Sequence, residues 1–513
     1  MKFMKKQLVA GILAIASAFA LGACSNNEGS GLRLENGDEP FVTTDFETIT
    51  NQDAFQFMLG NGGVSSLTDL VDTQILQGQF SIDHDAIEES MSGFREMAEA
   101  GGEEWENFLL ARGFDSEASF TLFMELDELR RQAGRAAITV TDEEIQQLFD
   151  NRFPEPVEGE EDEDADAEPR PELSDVRDEL EEQLIQSRLT AGFVNGELAR
   201  LRHEAGLVIL DPYLRGLYEN FLGAVGAAPE LFPPTNETST TVAARIGDVE
   251  ITADDLFNEM IPAIGLSAAV TLADPAILRE KFDVPRQEVT DLMNQSKIQL
   301  GEQFYTTMAS QGLNNDEEIF NHLELILLQE AAFHDRYAPT EERLRELYDE
   351  FQPNISARHI LVETEEEAQS LIDQLKEADN VEETFMELAA EHSLDGSSAN
   401  GGDLGSFGTG VMVAPFEEAA FALNVGEFTT EPVETQFGFH VIYKYAVDER
   451  PAFEDMKEQL RSTELSNLYS AQRLEALLID LREAAGFKLA NARMQERYEL
   501  IVANMRDFLA NNE

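Results

Sequence analysis

The sequence predicts an α+β multidomain chain: mostly helical units in two copies, with a small α/β domain inserted in the second. Three observations predict it. Two stretches of the chain repeat with a gap between them, amphipathic helical runs stand on both sides of each gap, and residues 354–449 have a β-rich, glycine-rich texture unlike the rest. A length of 513 residues suits roughly three domains.

The repeat comes first, because its period decides the domain count. Residues 111–150 align without gaps with 310–349, so that Gly113 meets Gly312, Glu125-Leu126 meets Glu324-Leu325, and Thr141 meets Thr340. RPELSDVRDEL from Arg170 aligns with RPAFEDMKEQL from Arg450, and further along Leu201-Arg202 meets Leu481-Arg482 and Tyr218 meets Tyr498. The offset is 199 in the first match (312 − 113) and 280 in the second (450 − 170), so the second copy holds 81 more residues between its halves. The first unit is therefore read as 41–153 with 170–227 and the second as 242–353 with 450–513, with 354–449 inserted. Between the halves of the first copy lies PEPVEGEEDEDADAEP, 154–169, too acidic and Pro-rich to bury anything, and expected to be a disordered loop. Residues 228–241, rich in Pro and Thr, read as a linker.

Each helical half carries its own signals. Thr141 with Glu144 has capping-box chemistry, Ser174 with Arg177 opens a second amphipathic run, and Thr252 with Asp255 ends a short strand and caps the helix after it. In 455–482 Met456, Leu460, Leu465, Leu468, Leu474, Leu477 and Leu478 recur at near-helical spacing. In the insert, SARHILVET reads as a strand, two helices follow over 365–377 and 381–392, and FGFHVIYKYAV closes as a strand. That order suits a small α/β domain around a mixed four-stranded sheet.

Charge narrows the function. With 101 acidic against 36 basic residues and a formal charge of −65, the chain has no clustered cations for nucleic acid and is repelled by an anionic membrane surface. A solubilising secreted surface and adaptation to high salt both account for such acidity. Five histidines, His84, His203, His322, His334 and His392, show no ligand spacing, and no metal or other cofactor is expected. The single cysteine, Cys24, excludes an intramolecular disulfide and a Cys-based zinc site. Lys2, Lys5 and Lys6 precede an apolar run from Leu8 to Leu21, the pattern of a secretory signal. Leu21-Gly22-Ala23-Cys24 resembles the lipobox of bacterial lipoproteins, which implies removal of residues 1–23, a diacylglyceryl group on Cys24, and a polar tether over 24–40. No other run reads as long enough to span a bilayer.

The stretch GGDLGSFGTG, 401–410, invites comparison with phosphate loops and fails it. It lacks the Lys-Ser/Thr ending and the preceding apolar strand, and its flanking charges are acidic. Leu404, Phe407, Met412, Phe416 and Phe421 are too apolar for a solvated linker, which leaves a folded loop that builds an apolar wall. ARHILV, GGDLGSFGTGVMVAPFEEAAFAL and TQFGFHVI together resemble the parvulin family of peptidyl-prolyl isomerases over about 90 residues, in that family's order and spacing. The helical surroundings and the lipobox resemble the PrsA-type foldase lipoproteins and, in architecture, SurA-type periplasmic chaperones.

The resemblance implies a site. His359, Asp395, Thr435 and His440 match its polar network, Leu404, Met412 and Phe416 its proline pocket, and Phe437 a variable position that adds to the pocket. The phospho-specific branch has a basic cluster after the first strand, whereas Val362 to Glu367 here reads VETEEE, so a phosphorylated residue before proline is not the expected substrate. Bland readings stand beside these: a satisfied histidine pair that only holds the sheet, an Asp395 that only orders its turn, and an apolar trio that is ordinary core. The implied function is a lipid-anchored, extracytoplasmic foldase acting on Xaa-Pro segments of unfolded secreted proteins, with helical units that hold the chain. A pure chaperone with a slow isomerase domain, a structural or solute-binding lipoprotein, and assembly as a homodimer stay open at this point.

Overall fold

The computed structural model describes residues 30–154, 170–226, 235–310, 313 and 315–512. Cys24 and nearly all of the acidic run 154–169 lie outside them. The described residues are mostly helical, with ten short strands: β1 (Pro40–Thr43), β2 (Thr48–Thr50), β3 (Leu207–Ile209), β4 (Val242–Ile246), β5 (Val249–Thr252), β6 (Ile355–Val362), β7 (Asp403–Phe407), β8 (Val433–Thr435), β9 (Gly438–Val447) and β10 (Lys488–Leu489). They form two compact units, one of residues up to Arg336 plus Ser470–Glu513, the other Tyr337–Tyr469.

In the larger unit two hairpins begin two long helices. β1–β2 runs into Asn51–Leu76, and Thr50 and Asp53 cap that helix reciprocally. β4–β5 runs into Ala253–Met260, capped in the same way by Thr252 and Asp255, and continues through a π turn at Ile261–Gly265 into Leu266–Arg279. A capping side chain satisfies amide donors that the first helical turn leaves open. The hairpins then pair across the chain. β1 takes β10 as its outer neighbour, with Val42 opposite Leu489, and β4 takes β3, with Leu207 opposite Ile246. All pairings in both three-stranded sheets are antiparallel. Where the two long helices approach, a Cβ on Gly62 would lie 2.8 Å from Ile264 Cδ1.

Two buried ion pairs sit in this unit. Asp72 receives Arg202 through two bonds of 2.7 Å and Arg130 through a third of 2.7 Å. Asp274 receives Arg482 through two bonds of 2.7 Å, and Arg482 also reaches Glu475 at 2.8 Å. A buried carboxylate is tolerated only with its charge matched and its lone pairs filled, and the bidentate guanidinium does both. Asp274 also changes the reading of the helical stretch Ala253–Arg279. By length and composition that stretch is apolar enough to cross a membrane, which the sequence reading had assigned to no segment beyond the signal. In the fold it packs against Asn51–Leu76 and carries Asp274 into the unit interior.

The tether expected over 24–40 is corrected in its second half. Leu32 and Leu34 are buried, the Gln52 amide bonds Leu32 O and Leu34 N, and Arg33 N donates to Thr240 O. Gly and Asn in this stretch suggested a linker, but two leucines give it something to bury.

The smaller unit has helices Glu341–Glu350 and Phe453–Leu468 packed through Leu344, Met456 and Leu460. Between them lies a four-stranded sheet in the order β7-β6-β9-β8. The mixed sheet expected from sequence is wrong: every pairing is antiparallel. One helix between strands returns the chain for a parallel neighbour, whereas two helices in a row, Glu365–Lys376 and Val381–His392, bring it back for an antiparallel one. Strand alternation splits the sheet into two faces. Ile360, Val362, Val441 and Tyr443 pack under those two helices, while Ile355, Ala357 and Ile442 face Phe407 and the helix Ala414–Ala422. Asp448 N donates to Asn354 O at 2.8 Å, so the insert enters and leaves at one point.

The ion pairs make a prediction. Arg482→Met strands Asp274 in the interior and should cost about 3–5 kcal/mol in denaturant unfolding. Adding Asp274→Leu should recover much of the loss; a single mutant as stable as the parent would show that the pair contributes nothing.

Candidate functional site

Strand pairing builds the site. β6 and β9 run antiparallel with His359 opposite Ile442 and Leu361 opposite His440. The two histidines therefore stand diagonally on one face, rings stacked at 5.4 Å between centroids and 18° between planes. Both are buried. Phe416 sets its ring edge-to-face against both, 5.6 Å from His359 and 5.3 Å from His440. Leu404 and Met412 pack with Phe416 and Phe407 in the same cluster. The helix carrying Phe416 ends on a buried lysine: Lys444 Nζ donates to Leu423 O at 2.7 Å and Phe421 O at 3.3 Å, where the terminal carbonyls need donors.

The polar atoms form one line. Thr435 Oγ1 is 2.7 Å from His440 Nε2, the two Nδ1 atoms are 3.2 Å apart, and Asp395 Oδ1 lies 3.0 Å from His359 Nε2, off the N–H axis. A carboxylate only accepts, so one proton order can be assigned from its end: a proton on His359 Nε2 toward Asp395, one on His440 Nδ1 toward His359 Nδ1, and the Thr435 hydroxyl toward His440 Nε2, the roles of the ring nitrogens depending on the tautomer. Thr435 Oγ1 in turn accepts from Phe437 N at 3.1 Å.

Burial first, then repulsion from His359, pulls His440 down to about 4. Asp395 is held well below the ordinary carboxylate range, with the Ser397 hydroxyl the largest cause and His359 a further one. Asp395 Oδ1 accepts from both Ser397 N, 2.8 Å, and Ser397 Oγ, 2.5 Å. It thus orders its turn and meets the histidine with the same oxygen, so the two readings of Asp395 describe one atom.

Seven of the eight residues expected from the sequence converge here. Phe437 stands apart on the β8–β9 turn, 62% exposed, outside the packed wall. Sequence reading missed Ser397, Lys444 and Ser393, whose Oγ accepts from Leu361 N. A signal existed for the first, since Ser two places after Asp is the pattern of a side-chain-to-amide turn. For Lys444 none did, because nothing in a strand sequence says which carbonyls lie above it. Among the described residues no group of three or more His, Cys, Asp or Glu could hold a metal ion.

The shift of His440 predicts a pH dependence. An unfolded histidine titrates near ~6.5, so between there and about 4 the unfolded chain binds more protons. Stability from this group is complete above the unfolded value and falls as pH drops toward the folded one. Activity that needs a neutral His440 should hold from pH 8 to about 5 and fall toward pH 4. A profile already halved at pH 6.5 would contradict the assignment.

Comparison with known proteins adds the family. Residues 343–448 match the PPIC-type PPIASE domain. The chain is 33% identical over 250 residues to the foldase protein PrsA of Geobacillus kaustophilus, covering 48% of this chain and 86% of that one. It is 32% identical over 255 residues to PrsA of Oceanobacillus iheyensis, covering 48% and 84%. A crystal structure of the peptidylprolyl isomerase PrsA from Bacillus cereus aligns at 28% identity over 49% of this chain and 95% of that one, with a TM-score of 0.36.

Proposed function

The chain belongs to the PrsA foldase family and carries a parvulin-type peptidyl-prolyl isomerase, and from that premise we propose that isomerisation takes place on the His359–His440 pair while the helical unit holds the client. Its clients are unfolded proteins outside the cytoplasm. The observation that carries the site is the buried, stacked histidine pair with the Phe416 edge against both rings.

Rotation about an Xaa-Pro bond crosses a barrier near ~20 kcal/mol set by amide resonance. It makes and breaks no bond, so it asks for no nucleophile. The proline ring lies against Leu404, Met412 and Phe416, and the preceding carbonyl turns out of the amide plane over the polar line. Leaving water weakens the resonance, and the fixed dipoles of Thr435, His440, His359 and Asp395 meet the twisted amide without reorganising. Met412→Ala should cost about 1–3 kcal/mol of kcat/KM, the range for a modest change in an apolar pocket; an unchanged kcat/KM would remove Met412 from the site.

The helical parts are two copies of one element, 41–153 with 170–227 and 242–353 with 450–513, around an isomerase domain at 354–449. Matching contacts support this. Thr50–Asp53 and Thr252–Asp255 cap alike, Asp72–Arg202 corresponds to Asp274–Arg482, and Arg170 over Phe149 corresponds to Arg450 over Tyr348. The exchange of β10 and β3 folds the copies through each other. Cys24 is the lipid-bearing residue and ties the protein to the outer face of the membrane.

Deleting 354–449 and joining the ends with a short polar linker tests the division of labour, since Asn354 and Asp448 already touch. Isomerase activity should vanish while suppression of client aggregation persists, at high salt as well, because apolar contacts are not screened. Loss of both would place client holding in the insert.

A further inference from the structure

The site has a supporting residue on the opposite face of the sheet. Arg358 precedes His359 on β6, so its side chain leaves the other side of the strand. It is nearly buried, its guanidinium lies 5.0 Å over the Tyr445 ring, and its Nη1 donates to Asn400 O at 3.1 Å and Gly401 O at 3.3 Å. Asp403, its register partner on β7, accepts from Tyr445 Oη at 2.7 Å and from Gly405 N at 3.0 Å. Glu382, 3.7 Å from Nε, and Asp403, 3.8 Å from Nη1, complete its charge environment.

The two carbonyls that Arg358 holds belong to the turn that delivers Asp395. Residues Gly396–Asn400 form a single 3-10 stretch whose cap is Asp395. The turn closes through Gly401 and Gly402, both with positive φ, at 64° and 75°. Gly402 lies flat on β6: its carbonyl accepts from His359 N at 2.9 Å, and a Cβ there would stand 2.2 Å from His359 O. Gly402 N donates to Ser397 O at 3.0 Å, and Ser397 bonds Asp395 Oδ1. One continuous path therefore runs from Arg358 through the turn carbonyls, Gly402 and Ser397 to Asp395, and ends on the ring of His359.

We infer that Arg358 is a positioning residue for the isomerase: by holding the carbonyls of Asn400 and Gly401 it fixes the turn that presents Asp395 to His359. It touches no substrate and acts only through the turn. This rests on the reading of the His359–His440 pair as the site. Carbonyls at the end of a 3-10 turn need donors, and one guanidinium supplies both from a place where packing against Tyr445 leaves it no freedom.

The experiment uses the full chain and three variants, Arg358→Met, Arg358→Lys and Tyr445→Phe, with Met412→Ala as a control on the site itself. Arg358→Met should lower kcat/KM on a Xaa-Pro peptide roughly 10- to 100-fold, the order that displacement of a catalytic group costs. The imidazole ¹⁵N signals of His359 should shift in the same protein, which a loss of stability alone does not produce in the folded fraction. Arg358→Lys should recover part of the activity, since an ammonium keeps a donor for the carbonyls but loses the planar group that packs on Tyr445. Tyr445→Phe, which removes the hydroxyl that bonds Asp403 and keeps the ring under Arg358, should move both readouts in the same direction by less, and carries the test if Arg358→Met does not fold. Unshifted His359 signals in all three variants would overturn the inference. If Met412→Ala also leaves kcat/KM unchanged, the site reading fails with it; if Met412→Ala lowers kcat/KM and the Arg358 variants do not, only this inference fails.

Discussion

The proposed isomerase site depends on the pairing of β6 with β9. That register sets His359 and His440 side by side on one face, in reach of each other through Nδ1. A slip of one residue between the two strands would turn one of the rings to the face covered by the helices Glu365–Lys376 and Val381–His392 and part the pair. Once the rings are in place, the remaining parts are held to them. Phe416 meets both edges, Thr435 terminates one end of the proton order, and Asp395 terminates the other. Burial pulls His440 well below the ordinary imidazole range, so that ring meets the line as a fixed dipole at neutral pH.

The helical unit depends on a different constraint. Its two hairpins each lack a strand until a distant part of the chain supplies one, β10 for the first and β3 for the second. Withdrawing β10 or β3 would open a further edge on its sheet. The buried pairs Asp72–Arg202 and Asp274–Arg482 impose a similar demand, since neither charge is tolerated without its partner and the partners lie 130 and 208 residues apart. Long-range closure of this kind makes the unit cooperative.

Some of this was legible in the sequence and some was not. Local chemistry was legible: the Thr252–Asp255 cap, the two helices of the insert, and the β6 and β9 strands are where turn residues and periodicity placed them. The clustering of the seven candidate residues was legible through resemblance, because their order along the chain survives in GGDLGSFGTG and its flanks. Sheet direction was not, since alternation names the faces of a strand but not its neighbour's orientation, and the mixed sheet was the wrong choice. Nor was the long-range pairing of β1 with β10 and of β4 with β3. A repeat in sequence reports that two segments have similar local preferences, and says nothing of which distant strand completes which sheet. Supporting residues such as Arg358 and Lys444 were hidden for the same reason: their partners are backbone carbonyls, which every residue has.

The account turns on the proton order along the line from Thr435 to Asp395. Imidazole ¹⁵N spectra of the full chain at pH 7, with His359 and His440 assigned by substitution, read it directly. The account predicts two neutral rings of opposite tautomer, His359 protonated on Nε2 and His440 on Nδ1. The same tautomer on both rings, or a doubly protonated ring at that pH, would contradict it.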